Sequence, residues 1–230
     1  MSGATDHWDA TFEPLWDNRE GRVNTYYVRP LLQTAGGRRL TDSGLLERGF
    51  GPKGLDSREA VVEAMTRTMD FGIERAKYLA ATGDDARVII PVNGRALMHR
   101  DLAGAFTAHC RTYDDQVTDR LIYEVTNVSD QAAQSHLDEV AAVLYLFCKT
   151  YGCRISPRTP NLQIYTACNY AGVALDMGRQ NLPPDKVRDF LNRFVEKAEA
   201  WRLKAYLHGV ADDTLRTIAH DAGVRFVCAE

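Results

Sequence analysis

The C-terminal stretch, residues 204–230, restricts the fold of this chain more than any other part of the sequence. An apolar strand at 205–207 runs into His208-Gly209-Val210, a helix with one apolar face follows, and Gly223 ends that helix. A second short strand covers 225–228. A strand, a helix and a strand within so few residues form a parallel βαβ unit, and such units carry their functional groups where the strands end.

Composition limits the classes of protein to which the chain can belong. Its 230 residues are 45% hydrophobic, enough for one large domain or two small ones. The net charge of −3 comes from interspersed acidic and basic residues, so we expect neither nucleic acid nor an anionic membrane as a partner. The longest apolar runs have the length of strands, and residues 1–9 lack the apolar core of a signal peptide, so we expect no membrane insertion.

The cysteines indicate a reducing compartment. Their number is odd and no two of them form a C-x-x-C pair, which is unlike a disulfide or zinc framework. We therefore predict buried free thiols and a cytoplasmic protein. The five cysteines are Cys110, Cys148, Cys153, Cys168 and Cys228.

The N-terminal part of the chain predicts an antiparallel hairpin. Residues 11–17 and 23–31 read as strands, the second rich in β-branched and aromatic residues, and residues 18–21 form the tight turn between them. We assign residues 1–9 to an N-terminal extension. After the hairpin, six glycines and alternating charges in residues 34–56 indicate a long surface loop.

From residue 57 onward, predicted helices and strands alternate. The helices cover 57–81, 100–110, 130–151, 162–168 and 183–201, and the strands cover 87–93, 121–126, 153–157 and 173–177. Alternation without a low-complexity linker predicts one α/β domain over residues 1–230, a closed (β/α) TIM-like barrel that begins with an antiparallel hairpin strand. The sequence leaves open whether this domain is a whole protein or one part of a longer regulatory protein.

In a parallel barrel, the loops that follow the strands form the functional face. Six polar groups stand at predicted strand ends: Asn93, Glu124, Arg158, Asp176, His208 and Cys228. Magnesium prefers several hard oxygen ligands, and two-metal hydrolysis needs acids from several strands at once. This set has too few carboxylates for either arrangement, so we predict no metal and no cofactor.

Several short motifs stand in a characteristic order along the chain. Phe12-Glu-Pro-Leu-Trp-Asp17 with Gly21-Arg22 forms the first, and Val92-Asn93-Gly94, Glu124-Val-Thr-Asn127 and Gly152-Cys-Arg-Ile155 follow. Together with the C-terminal βαβ unit, these motifs resemble the EAL family of cyclic di-GMP phosphodiesterases, and the resemblance extends over nearly the whole chain. It implies a TIM-like barrel and a part in bacterial cyclic di-GMP signalling.

The departures from the EAL pattern fall on the family's catalytic positions. The best match to the Glu of the signature is Arg29, with two extra residues in the hairpin; without them, Tyr27 takes that place. The other replacements are Arg158 and Thr159 for paired aspartates, Ala174 for a lysine, His208 for a Glu and Cys228 for a terminal Gln. Asn93 and Glu124 remain from the family's metal ligands, alongside Asp176. The resemblance therefore implies a vestigial pocket at these positions, with no catalytic residue and no hydrolysis of cyclic di-GMP.

Three hypotheses from different classes of function follow. The first, which we favour, is a non-catalytic regulatory or scaffolding module that works through a protein partner or as a homodimer. The second is a non-hydrolysing receptor for cyclic di-GMP or another phosphate ligand; Gln33, where the family has an arginine, argues against it. The third is an enzyme of a different kind built on His208 and Cys228.

The charges at the strand ends predict an ion-paired pocket. Arg29 and Arg158 are expected on the same rim as Glu124 and Asp176, and an unpaired buried carboxylate is costly. We therefore expect Glu124 to pair with Arg29 or Arg158. Such a pocket either satisfies its own charges or binds anions, and it does not bind cations.

Overall fold

A computed structural model of the chain describes residues 5–113, 115–178, 182–210 and 212–229. Residues 1–4 of the expected N-terminal extension lie outside the described part. The strands are β1 (His7–Asp17), β2 (Arg22–Gln33), β3 (Arg39–Thr41), β4 (Arg87–Asn93), β5 (Leu121–Thr126), β6 (Tyr151–Arg154), β7 (Gly172–Asp176), β8 (Lys204–Val210) and β9 (Phe226–Ala229). The helices are α1 (Arg58–Ala81), α2 (Gly94–Leu97), α3 (Arg100–Cys110), α4 (Asp115–Thr118), α5 (Gln134–Leu144), α6 (Gln163–Ala167), α7 (Pro184–Ala200) and α8 (Asp213–Asp221).

Eight of these strands close into a ring. Their order is β1-β9-β8-β7-β6-β5-β4-β2, and pairing between β1 and β2 completes the ring. β1 is antiparallel to both of its neighbours, whereas the other pairs in the ring are parallel. The structure confirms an α/β barrel that begins with an antiparallel hairpin strand. That residues 1–230 form one domain stays a prediction.

The core has two layers, because successive side chains of a strand point to opposite faces. A cluster from seven ring strands fills the inside of the barrel with Leu15, Tyr27, Ile89, Ile122, Ala174, Tyr206, Phe226 and Cys228. The larger cluster lies between the outer face of the strands and the helices. Helix α1 shows why this layer forms: Ser57 Oγ accepts a hydrogen bond from Ala60 N (3.1 Å) at its start, and its apolar residues recur every three or four positions.

The hairpin is longer at its start than the sequence predicts. β1 begins at His7, so residues 7–9 of the expected extension belong to the strand, paired with residues 31–33 of β2. This pairing satisfies backbone groups that would otherwise face solvent.

Residues 34–56 do not form the surface loop that the sequence predicts. They contain β3 and a π-helical turn, Ser43–Glu47, and Leu40, Leu45 and Leu46 are buried. The glycines and charges typical of a loop are interrupted by these leucines, and burial of their side chains offsets the entropy lost when the segment is ordered.

Helix α5 is shorter than the predicted helix at 130–151. It ends at Leu144. Phe147 and Cys148, which follow the helix, still pack against the core, so the helical spacing of apolar residues continues in the sequence beyond the end of the helix. Periodicity alone therefore placed the end of the helix too late.

The strand after α5 also lies earlier in the chain than the sequence predicts. The sequence predicts a strand at 153–157 with Gly152 ending the preceding helix, but β6 spans Tyr151–Arg154 and contains Gly152. A Cβ at Gly152 would stand 3.1 Å from the carbonyl oxygen of Gly172 on β7, a close approach that favours glycine. β6 ends at Arg154, four residues before Arg158.

Within the described ranges, no helix combines the length and the apolar character needed to cross a membrane.

Candidate functional site

Arg154 lies at the carboxyl end of β6 and extends into the mouth of the barrel, with only 8% of its side chain exposed. A guanidinium has five N–H donors in one plane, and here every nitrogen is engaged. Nε and Nη2 contact Glu124 Oε1 at 2.8 and 2.6 Å, Nη1 contacts Asp42 Oδ2 at 2.9 Å and also Glu47, and Nη2 donates to Tyr27 Oη at 2.6 Å. We refer to Tyr27, Asp42, Glu47, Glu124, Arg154 and His208 as the Arg154 cluster.

Glu124, on β5, links Arg154 to His208. Its second carboxylate oxygen, Oε2, lies 2.8 Å from His208 Nε2 on β8. Burial by itself would raise the pKa of Glu124, but the charges and hydrogen bonds of Arg154 and His208 outweigh burial and hold this pKa at about 2, below the ordinary 4.5. Glu124 is therefore ionised at neutral pH, and His208 Nε2 is the donor in their hydrogen bond.

Tyr27 closes the cluster from the hairpin side. Its hydroxyl donates to Asp42 Oδ2 at 2.7 Å, and its ring centroid lies 4.7 Å from that of His208. Burial raises the pKa of Tyr27 well above its ordinary value, so the hydroxyl keeps its proton.

Among the residues that the structure describes, two buried polar atoms of the cluster, Asp42 Oδ1 and His208 Nδ1, find no hydrogen-bond partner. The cluster also places three carboxylates, those of Asp42, Glu47 and Glu124, around one guanidinium. Even a protonated His208 would leave negative charge in excess. The mouth of the barrel is thus electrostatically unfavourable for an added anion.

Arg29 does not pair with Glu124. It contacts Glu13 on β1 through Nε and through Nη2, the latter 2.8 Å from Oε2. Cys228 joins this pair, its Sγ lying 3.3 Å from Glu13 Oε2. Burial, followed by the Glu13 carboxylate, raises the pKa of Cys228, so its thiol is not activated as a nucleophile.

Arg158 does not pair with Glu124 either. It is exposed, and its backbone N–H donates to Ser156 Oγ at 3.1 Å. The expectation that Arg29 or Arg158 neutralises Glu124 was therefore wrong, because Arg154 ends the strand four residues earlier and occupies that position.

Asn93, at the end of β4, forms hydrogen bonds to backbone groups through both polar atoms of its side chain. Its Oδ1 accepts from Ala96 N at 2.9 Å and caps α2, and its Nδ2 donates to the carbonyl of Leu46 at 2.8 Å. Thr126 Oγ1 contacts the same carbonyl at 3.2 Å. These two strand ends fix the π-helical turn over the barrel and so place Glu47 near Arg154.

The remaining predicted positions lie outside the Arg154 cluster. Ala174 belongs to the apolar cluster inside the barrel. Thr159 is nearly buried, with Oγ1 3.5 Å from Asp130 Oδ1, and Asp176 Oδ1 accepts from Gly178 N at 3.0 Å. The structure therefore gathers Glu124 and His208 from the predicted set into one cluster.

Sequence reasoning missed three members of the cluster. Asp42 and Glu47 lie in the segment assigned to a surface loop, and Arg154 lies in a motif whose strand was placed too late. The sequence did contain a signal for Arg154. In a strand through Gly152-Cys-Arg-Ile155, Cys153 and Arg154 point to opposite faces, so one of the two faces the inside of the barrel when the other faces the helices.

A metal of the kind that phosphodiesterase chemistry would use does not fit these residues. In the part of the chain that the structure describes, no three His, Cys, Asp or Glu side chains are arranged to hold a metal ion. Asp42, Glu47 and Glu124 all contact the Arg154 guanidinium, which occupies the space between them.

Comparisons with known proteins give a result for the structure alone. No protein-family model matches the sequence, and neither does any curated protein. The EAL enzyme Bd1971 in its cGMP-bound form matches with a TM-score of 0.71 at 13% identity, over 96% of this chain and 61% of that chain. This chain thus spans about three fifths of the length of Bd1971.

Two further structures match over a larger share of their own length. The FimX EAL domain from Pseudomonas aeruginosa bound to c-di-GMP has a TM-score of 0.64 at 14% identity, over 96% of this chain and 88% of that one. The PaMucR phosphodiesterase in complex with c-di-GMP has a TM-score of 0.69 at 14% identity, over 96% and 93%. Together with the antiparallel first strand and the parallel remainder of the ring, these similarities identify the fold of this chain as the EAL-type barrel.

Proposed function

We propose that this chain is a non-catalytic EAL-type module that acts in bacterial signalling, in the cytoplasm, through contacts with a protein partner or a second copy of itself. The observation that carries the proposal is the position of Arg154. Its guanidinium lies between Asp42, Glu47 and Glu124, where free carboxylates would be needed to hold metal.

The energetics of the Arg154 cluster support inactivity. To bind a metal, Glu124 would have to exchange a buried guanidinium for the ion, and breaking one partner of a buried ion pair costs about 3–5 kcal/mol. The thiol of Cys228 and the imidazole of His208 do not substitute for this chemistry. Cys228 contacts Glu13, and His208 Nε2 already donates to Glu124.

A cyclic di-GMP receptor is the second candidate, since the FimX and PaMucR structures contain c-di-GMP. The charge of the Arg154 cluster opposes this alternative, because the phosphates of a ligand would meet three carboxylates whose one arginine is already engaged. We therefore rank it below the protein-contact function.

The direct test is incubation of the purified protein with cyclic di-GMP and magnesium or manganese. We expect the dinucleotide to remain intact and a calorimetric titration to give no binding heat, with or without metal. Linear product above that of a heat-killed control would contradict the absence of catalysis. Binding without hydrolysis would instead favour the receptor.

The contact function is tested at an exposed apolar pair. Tyr145 and Leu146, in the turn after α5, are 74% and 65% exposed. We expect self-association, measured by light scattering at high concentration, or partner capture that the double change Tyr145→Ser and Leu146→Ser weakens. Tyr78→Ser is the matched control, since Tyr78 is an exposed aromatic residue on α1 beside Arg75. A strictly monomeric protein that captures no partner would count against this function.

A further inference from the structure

A large cleft lies at the end of the barrel opposite to Arg154. Its volume is about 760 Å³, within the range of small-molecule sites. The turn after β1 and the starts of β8 and β9 contribute to it, so it lies at the amino ends of the parallel strands. Val195, Leu203 and Val224 provide an apolar wall.

The charged lining of this cleft is mainly cationic. Arg19, Arg202 and Lys204 line it, and in the described part of the chain none of them has a carboxylate within ion-pair distance. Glu199 is the one carboxylate among the lining residues that the structure describes. The cleft thus concentrates positive charge on a chain whose net charge is −3.

Arg225 differs from the other three cations because its charge is balanced. Its Nη2 lies 2.6 Å from the buried Asp17 Oδ2 and 3.5 Å from Glu20 Oε1. His220 also lines the cleft, and its Nδ1 lies 3.7 Å from Asp221 Oδ1. The unbalanced charge is therefore that of Arg19, Arg202 and Lys204.

A second cavity, with a volume of about 290 Å³, adjoins the cleft and shares Lys204 and Arg225 with it. Its lining is mixed in charge, because it adds Arg22 and Arg87 but also Asp17, Glu20 and Asp85. Burial, followed by the charges of Arg87 and Arg225, lowers the pKa of Lys204. Lys204 thus lies close enough to Arg87 and Arg225 for their charges to repel it; Asp17 offsets part of this repulsion, and an anion in the cleft would relieve the rest.

We propose that this cleft binds a small molecule that carries a diphosphate or longer phosphate group. Guanidinium forks match phosphate oxygens, an ammonium adds a point charge, and several separate donors are satisfied better by a multiply charged phosphate chain than by a single carboxylate. The site is remote from the Arg154 cluster, so it does not depend on the function proposed above.

The test is an isothermal titration with pyrophosphate, paired with melting curves. Pyrophosphate at about 100 times its dissociation constant should raise the melting temperature by about 5–10 °C. The double change Arg202→Asn and Lys204→Gln should weaken binding by at least about tenfold. Asn is chosen because Arg202 has φ +57° after α7, a conformation that asparagine adopts readily. Arg19→Gln, on an exposed turn, should weaken binding in the same direction and does not disturb a strand.

The matched control is the double change Arg67→Gln and Lys77→Gln on α1, which removes two positive charges that do not line the cleft. It should leave pyrophosphate binding unchanged. Equal weakening in the control would overturn the proposal, because attraction would then follow net charge alone. No thermal shift, full binding by the Arg202 and Lys204 double variant, or equally tight binding of citrate would also overturn it.

Discussion

Replacement of Arg154 by methionine is the sharpest test of how the barrel mouth is stabilised. Methionine keeps much of the side-chain volume but removes the guanidinium that Asp42, Glu47 and Glu124 share. Loss of one partner from a buried pair costs about 3–5 kcal/mol, and because three carboxylates lose the same cation, we expect a cost of about 5 kcal/mol. At about 2–4 °C per kcal/mol for a chain of this size, the melting temperature should fall by about 10–20 °C.

The matched control is Arg22→Met. Arg22 pairs with Asp85 at 3.0 Å, but the two side chains are 52% and 69% exposed. Water screens such a pair, so its loss should leave the melting temperature nearly unchanged. Both variants are compared with the parent protein by calorimetric melting and by urea unfolding.

The pH dependence separates a charge effect from simple loss of packing. In the parent, the pKa of Glu124 is lowered from 4.5 to about 2, so its contribution is complete above about pH 4.5 and is lost as the pH falls towards 2. Without Arg154, the guanidinium no longer outweighs the effect of burial on Glu124, so the pKa of Glu124 should rise and its protonation should relieve the variant as the pH falls. The difference in melting temperature between Arg154→Met and the parent should therefore shrink from about pH 7 to about pH 5. A loss of under about 2 °C, or a loss equal at both pH values, would refute the reasoning.

Two other stability measurements test neighbouring features. Glu124→Gln should lower the free energy of unfolding by about 3 kcal/mol and should clearly lower the melting temperature, whereas magnesium should leave the melting temperature unchanged. A magnesium-dependent rise in melting temperature that Glu124→Gln abolishes would reveal a metal site. Gly209→Ala should destabilise by more than about 1 kcal/mol, because Gly209 has φ +67° and a Cβ there would stand 2.5 Å from Gly178 N. Gly104→Ala is its control on α3, where a Cβ meets nothing within 4 Å, and should stabilise by about 0.5–1 kcal/mol; an equal effect of both changes would contradict the assigned strain.

Local patterns in the sequence were sufficient for the barrel. The C-terminal βαβ unit and the early hairpin depend on alternation, helical spacing and turn residues, all of which act over a few neighbouring positions. For the same reason Glu124 and His208 could be predicted as pocket residues, since each stands near the end of a clearly apolar strand.

The identity of the arginine in the pocket needed more than local pattern. Phe147 and Cys148 continue the helical spacing of α5 although they lie beyond its end, so the sequence assigned β6 too late and selected Arg158. A strand register fixes which side chains face inward, and a displacement of a few residues exchanges them. Tyr27 and Arg29 are a similar case, since both lie on the same face of β2, and only pairing with β1 directs Arg29 to Glu13.

The sequence by itself determined the alternating strands and helices, the antiparallel start and most strand ends of this protein, because these depend on neighbours along the chain. Tertiary structure alone decided that Asp42 and Glu47 meet Arg154, across separations of 112 and 107 residues. Such contacts follow from ring closure and from burial of Leu45 and Leu46, which carry their acidic neighbours over the barrel mouth. No local propensity encodes that position, because the free energy that fixes it comes from packing between segments distant in sequence.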